Sequence, residues 1–164
     1  ISQACSSTEI LIQPFVSSVK SRGELSIVFF DEVFSHAIRK VPPQGDFKVQ
    51  GGKITPVSLE SICNFEYKTA VQVLKAVKQV IKAKEDPSEV EPNVLESMDY
   101  AQVTKYLENK AKLLYARVDF LYSSDGKQVM VNEVEILDPE LFFRYSDDAP
   151  QKFIAALINR ACHA

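Results

Sequence analysis

With 164 residues, 46% of them hydrophobic and 25% charged, the chain has the make-up of one globular domain with a real core, which excludes a disordered or collagen-like polypeptide. Its 19 Lys and Arg against 22 Asp and Glu leave a formal charge of -3, so no global positive field draws it to nucleic acid or to an anionic membrane, and any anion site must be local. No apolar run approaches the roughly 20 residues needed to span a bilayer. The opening ISQACSSTE lacks the basic-then-apolar order of a signal peptide, and a start at Ile1 without Met reads as a piece of a longer protein. Cys5, Cys63 and Cys162 are widely spaced and form no CxxC, which argues against a disulfide framework or thiolate zinc site and fits a reducing, cytoplasmic setting. Oligomeric state leaves no trace in the sequence.

In chain order, Ile10 to Val16 (ILIQPFV) predicts a strand and Ser17 to Gly23 a loop. Glu24 to Phe30, the Asp31-Glu32 turn and Val33 to Arg39 predict a hairpin, followed by the Pro/Gly-rich loop VPPQGDFKVQGGK. Ala70, Val73, Leu74, Val77, Val80 and Ile81 recur at helical spacing, with Lys68, Gln72, Lys75, Gln79 and Lys82 on the opposite face, so Tyr67 to Lys84 reads as an amphipathic helix. Glu85 to Asn93 reads as a solvated loop and Asp99 to Leu113 as a second helix. Strands at Leu114 to Tyr122 and Gln128 to Leu137 flank the turn SSDGK, and Asp147 or Asp148 with Pro150 starts a last helix burying Phe153, Leu157 and Ala161. The fold class expected is α+β, an antiparallel sheet with packed helices.

The last hairpin carries the chemistry. Alternation puts Arg117 and Asp119 on one face of the first strand, and Val131, Glu133 and Glu135 on one face of the second. A three-residue Asp125-Gly126-Lys127 loop sets Asp119 opposite Glu133 and Arg117 opposite Glu135, whereas a two-residue loop shifts the register by one. Three carboxylates on one face repel one another, and hard divalent cations, Mg2+ or Mn2+, relieve that repulsion while Arg117 grips a phosphate oxygen. An ordinary solvated sheet face with cross-strand Arg-Glu pairs accounts for the same pattern. His36 reads as a hydrogen-bonded strand histidine, Gly51-Gly52 as a turn or a phosphate cradle, and Cys63 as a small buried filler.

YARVDF with VNEVEILDPELFF resembles the metal-binding strands of the ATP-grasp superfamily, and IQPFV, GELSIVFFDEVFSHAIRKVP and GDFKVQGG resemble its preceding half in the same order. The likeness runs from Ile10 to Leu157 and is closest to the carboxylate-amine ligase branch, which includes glutathione synthetase and D-alanine-D-alanine ligase. The resemblance implies an adenine hinge at Gln13, Pro14, Phe15 and Val16, ribose recognition by Glu24, and contact of Arg39, Lys40 and Lys48 with phosphate or substrate carboxylate. It further implies Asp119, Glu133 and Glu135 as metal ligands, Glu135 standing where the family often has Asn, and Arg117 as the catalytic arginine beside the transferred phosphoryl group. The implied partners are ATP with Mg2+ (or Mn2+) and small-molecule carboxylate and amine substrates joined through an acyl phosphate. Residues 1–164 would then be a partial ATP-grasp domain whose upstream substrate domain and lid lie outside the chain. A noncatalytic nucleotide-binding or regulatory module derived from such a protein is the alternative.

Overall fold

The computed structural model describes residues 12–49, 51–85 and 113–163. Five strands are seen: β1 (Glu24–Phe30), β2 (Val33–Val41), β3 (Lys53–Val57), β4 (Tyr115–Tyr122) and β5 (Val129–Glu135). They form one antiparallel sheet in the order β3-β2-β1-β4-β5, with a helical turn α1 (Val19–Arg22), a long helix α2 (Asn64–Glu85) and a last helix α3 (Ala149–His163). This is the expected α+β class. Among the described residues no helix is long and apolar enough to cross a membrane.

The central strand β1 is buried along its whole length, so its two faces must each find cover. Leu25, Ile27 and Phe29 point one way and join Val118, Phe120 and Tyr122 of β4 against Tyr67, Ala70, Val71 and Leu74 of α2. Val28 and Phe30 point the other way, where Ala149 and Ala156 of α3 cover one end of the face together with Phe143 and Phe153. The rest of that second face is polar and lines the cleft described below.

The β1-β2 turn is made by Asp31 and Glu32, both left-handed at φ 50° and 64°, as a two-residue hairpin with matching twist requires. Neither is glycine, and the cost of about 1 kcal/mol per residue is offset at Glu32, whose buried carboxylate accepts bonds from Lys78 Nζ (2.8 Å) and the Leu113 amide (2.9 Å). The turn is thereby tied to α2 and to the start of β4.

Several expectations need correction. Residues 12–16 form no strand, and the segment 17–23 holds the turn α1, whose first amide bonds the Val16 carbonyl. Gly23 closes α1 at φ 69° with the Lys40 carbonyl 2.2 Å from where a Cβ would sit, so only glycine fits. Strand β3 has no counterpart among the expected elements, and its Pro56 is tolerated because the strand lies at the sheet edge. On α2 the buried side includes Lys75 and Lys78, while Val80 is exposed; long lysine stems cover apolar surface that the binary pattern assigns to aliphatics. On α3 Phe153 is half-buried but Leu157 and Ala161 are exposed, the helix being set down on Ala149 and Ala156 instead. Cys63 is exposed and serves as an N-terminal cap, its Sγ accepting the Glu66 amide at 3.4 Å while Glu66 Oε2 accepts the Cys63 amide at 2.8 Å. The loop expected after Glu85 and the helix expected at Asp99 to Leu113 fall, apart from their end residues, outside the described residues.

Candidate functional site

The register of the last hairpin sets the site. Arg117 pairs with Glu135 and Asp119 with Glu133, the convergent arrangement, but the route differs from the three-residue loop. Near the turn Tyr122 pairs with Val129 and Phe120 with Val131, and an irregularity between Asp119 and Phe120 restores the pairing by taking up Asn132 as an extra residue. Val131 is consequently opposite Phe120 and out of the Glu133 series. The displaced Asn132 donates from Nδ2 to Glu24 Oε2 at 2.8 Å.

Adjacent strands bring four charged side chains together. Pairing of Glu24 with Lys40, and of Ser26 with Asp119, puts these groups side by side across β2, β1 and β4. Lys40 Nζ contacts Glu24 and lies 3.1 Å from Asp119 Oδ2. Arg117 donates from Nε to Asp119 Oδ1 (3.0 Å) and from Nη2 to Oδ2 (3.0 Å), reaches Glu135, stands 3.5 Å from Glu133, and gives Nη1 to the Glu140 carbonyl (3.2 Å). Asp119 is 0% exposed, whereas the Glu133 side chain is 53% exposed and that of Glu135 27%. Asp119 thus anchors two cations from below, and the two glutamates face the open side.

In this network four carboxylates meet two cations, and the excess negative charge shows in the titrations. Burial pushes the Glu24 carboxyl up, Lys40 opposes it, and the Asp119 charge adds to the rise. Glu135 is likewise raised by burial, against Arg117, with the Glu133 and Asp119 charges reinforcing. Burial acts on Asp119 in the same sense, but Lys40 and Arg117 outweigh it and hold this carboxyl below its ordinary value. Neighbouring carboxyls pushed in opposite directions inside a cleft are a physical mark of a functional site.

An open cleft of about 1110 Å³ lies over this network. Gln13, Pro14, Phe15, Val16, Glu24, Lys40, Lys48, Arg117, Glu133 and Glu135 all line it, and Asp119 sits beneath its floor. One wall is the irregular segment 12–16, where Phe15 meets Phe47 edge-on with centroids 5.7 Å apart and Lys20 lies over the Phe15 ring. Gly51 lines the cleft, while Gly52 packs so closely on the Val41 carbonyl, 2.1 Å from an added Cβ, that its part is a tight crossing. Arg39 is not in the cleft. Strand alternation sends it to the opposite face, where it donates to the Arg22 carbonyl and the Tyr122 hydroxyl. His36 is the bonded strand histidine expected, held by Ser35 Oγ and the Leu141 carbonyl, each at 2.9 Å, with burial keeping its pKa below the usual value.

Asn132, Glu140, Phe142 and Arg144 also line the cleft and were missed. Asn132 enters through the bulge, which no residue pattern announces. Phe142 is an aromatic residue in left-handed backbone, contrary to its preference. As to metal, the donors on the open side are hard oxygens, the kind Mg2+ takes, and two carboxylates are as many as that ion commonly requires when phosphates complete its shell. Among the described residues no three His, Cys, Asp or Glu side chains are grouped as a ready-made metal set, since Arg117 stands between them.

No protein-family profile matches the chain. Over 153 residues, 93% of the chain, it is 29% identical to the cycloserine biosynthesis protein DcsG of Streptomyces lavendulae, and it spans 42% of that protein. The crystal structure of D-cycloserine synthetase DcsG superposes with a TM-score of 0.59 at 27% identity, over 90% of this chain and 41% of that one. The chain therefore corresponds to less than half of the relative it matches.

Proposed function

We propose that this chain is part of an ATP-dependent ligase of the ATP-grasp type, binding Mg-ATP in the cleft and joining a carboxylate to an amine. The observation that carries the reading is the convergence on one cleft of the hinge-like segment 12–16, the cations Lys40 and Arg117, and the carboxylates Glu133 and Glu135. The likeness to a synthetase supports the ligase class. A noncatalytic module finds less support, because the relative is itself a synthetase and Arg117 is held in place by four separate partners.

In this reading the backbone of residues 12–16, flanked by Gln13 and Phe15, takes the adenine, and Glu24 the ribose hydroxyls. Lys40, Lys48 and Arg117 meet phosphate. Glu133 and Glu135 would hold the Mg2+ (or Mn2+), and Asp119 would join them only by giving up its bonds to Arg117 and Lys40. The metal, when bound, neutralises phosphate charge. A substrate carboxylate oxygen attacks the terminal phosphorus as the bond to ADP breaks, and an amine then displaces phosphate from the acyl phosphate. Arg117, fixed by Asp119 and the Glu140 carbonyl, would turn its remaining Nη1 hydrogen, and the Nη2 hydrogen now given to Glu135, to the transferring group, so the chain contributes position and charge rather than a nucleophile. Residues 1–164 would form one portion of the complete enzyme, with substrate domain and lid supplied from elsewhere in it.

Calorimetric titration of ATP into the chain, with and without Mg2+, tests this directly. Metal-dependent binding that weakens in Asp119→Asn and Glu133→Gln is the expected result. Affinity indifferent to both metal and substitution would refute the assignment.

A further inference from the structure

At the floor of the cleft a bulky aromatic occupies backbone that disfavours it. Phe142 has φ 51° and ψ 34°, the region glycine or asparagine usually takes, and yet is only 4% exposed. Three cationic groups surround its ring centroid: Lys40 Nζ at 5.7 Å, the Arg117 guanidinium carbon at 5.6 Å and that of Arg144 at 5.8 Å. Each is within the range at which the negative face of an aromatic ring attracts a cation.

The three differ in their carboxylate partners. Lys40 has Glu24 and Asp119, Arg117 has Asp119, Glu133 and Glu135, and Arg144 has Glu140. Arg144 also lies over the Tyr145 ring at 4.8 Å, and among the described residues Phe142 is the ring that all three cations share. Its own position is fastened from several sides. The preceding carbonyls of Glu140 and Leu141 accept bonds from Arg117 and His36, and the Phe142 carbonyl accepts the Tyr145 amide at 2.9 Å.

We infer that Phe142 is a positioning residue whose ring draws Lys40, Arg117 and Arg144 toward one centroid at the floor of the cleft, so that a polyphosphate meets three cations at once. This deepens, and rests on, the reading of the cleft as a phosphate-transfer site. Glu24, Asp119, Glu133, Glu135 and Glu140 already balance the charge of the three cations, so the part of the ring is positional: its electron-rich face attracts each cation toward one centroid whichever carboxylate it leaves when phosphate enters. A ring that must reach all three groups explains why the backbone accepts a conformation unsuited to its side chain. It also adds Arg144 to the phosphate-facing set.

The test replaces Phe142 in the chain with difluoro-, trifluoro- and pentafluorophenylalanine, which drain the ring face of negative charge with little change of shape. The readout is calorimetric affinity for inorganic tripolyphosphate, and for ATP with Mg2+. Tripolyphosphate affinity should fall stepwise along the series, by roughly ten-fold in total, and Phe142→Leu, which keeps apolar volume, should fall as far. A flat series, a Phe142→Leu variant that binds like the parent, or no tripolyphosphate binding by the parent overturns the inference. Metal-dependent ATP binding with a flat series sinks the role of the ring and leaves the ligase reading standing. A graded tripolyphosphate response with ATP binding blind to Mg2+ supports the ring and sinks the ligase reading.

Discussion

The central strands are buried on both faces of the sheet, and the two faces are built on opposite principles. Toward α2, Leu25, Ile27, Val118 and Phe120 are each 0% exposed and make only apolar contacts of the kind that shape and volume decide. On the other face, under the cleft, Glu24, Lys40, Arg117 and Asp119 are 5%, 8%, 6% and 0% exposed, and each is held by charge-assisted bonds to specific partners. An apolar core tolerates the loss of one member at a cost set by the cavity left behind. In a buried ionic network, loss of one member strands another charge. The first face holds the fold, and the second keeps charges poised that are unfavourable to bury without partners.

The largest effect should come from the ionic face. Asp119→Ala leaves Lys40 and Arg117 without their common anchor and is expected to cost about 3–5 kcal/mol in urea denaturation; parental stability would mean that both cations reach solvent freely. Leu74→Ala, on the apolar face, is expected to cost about 3 kcal/mol yet leave the nucleotide affinity of the folded protein unchanged, and a drop in that affinity would show that the two faces are coupled. Glu133→Gln should behave in the reverse way. Its half-exposed carboxylate contributes within about 0.5 kcal/mol to stability, while Mg-dependent ATP affinity should fall roughly ten-fold, both measurable on one preparation by denaturation and calorimetry.

Smaller effects probe the seams between the faces. Burial holds the His36 ring below its ordinary value of 6.5, so the unfolded chain takes up a proton that the folded chain resists. The His36 contribution is therefore present above that pH and is lost as pH falls toward the folded value. Urea midpoints should drop between about pH 7.5 and about pH 5.5, and His36→Gln should flatten the drop; an unchanged slope would show that the ring is freely protonated in the fold. Cys63→Ser, which keeps an acceptor for the Glu66 amide, should shift stability by less than about 0.5 kcal/mol, and a larger loss in thermal unfolding would mean the sulfur packs as well as caps.

How much of this was legible beforehand varied with the kind of interaction. The β1-β2 hairpin, α2 and the β4-β5 hairpin follow from periodicity, because a continuous apolar stripe permits few other arrangements. The strand expected over Ile10 to Val16 is absent from 12–16 while β3, for which no expectation was formed, is present, and the reason is shared: Pro14 and Pro56 make local preference ambiguous, and only position at an edge or wall decides. At the site, Arg117, Asp119, Glu133 and Glu135 were recognisable from alternation and resemblance. Asn132, Phe142 and Arg144 were not. One arrives through a bulge, one in a backbone conformation its side chain opposes, and one from an exposed turn where its pairing with Glu140 four residues earlier reads as an ordinary surface ion pair.

The primary structure alone was enough for the α+β class, the pairing of two hairpins and the gathering of acidic and basic residues on one strand face, because side-chain periodicity and turn chemistry act over a few neighbouring residues. Tertiary structure decided which side of α2 and α3 is covered, that Arg39 leaves the cleft while Lys40 enters it, and that Asp119 lies beneath two cations instead of at the surface. Those outcomes depend on residues distant in the chain: β1 lies between β2 and β4, and Phe142 comes to rest among side chains from separate elements. Local preference has no term for such long-range packing, which is why the carboxylate pattern could be read from the strand and its charge balance only from the fold.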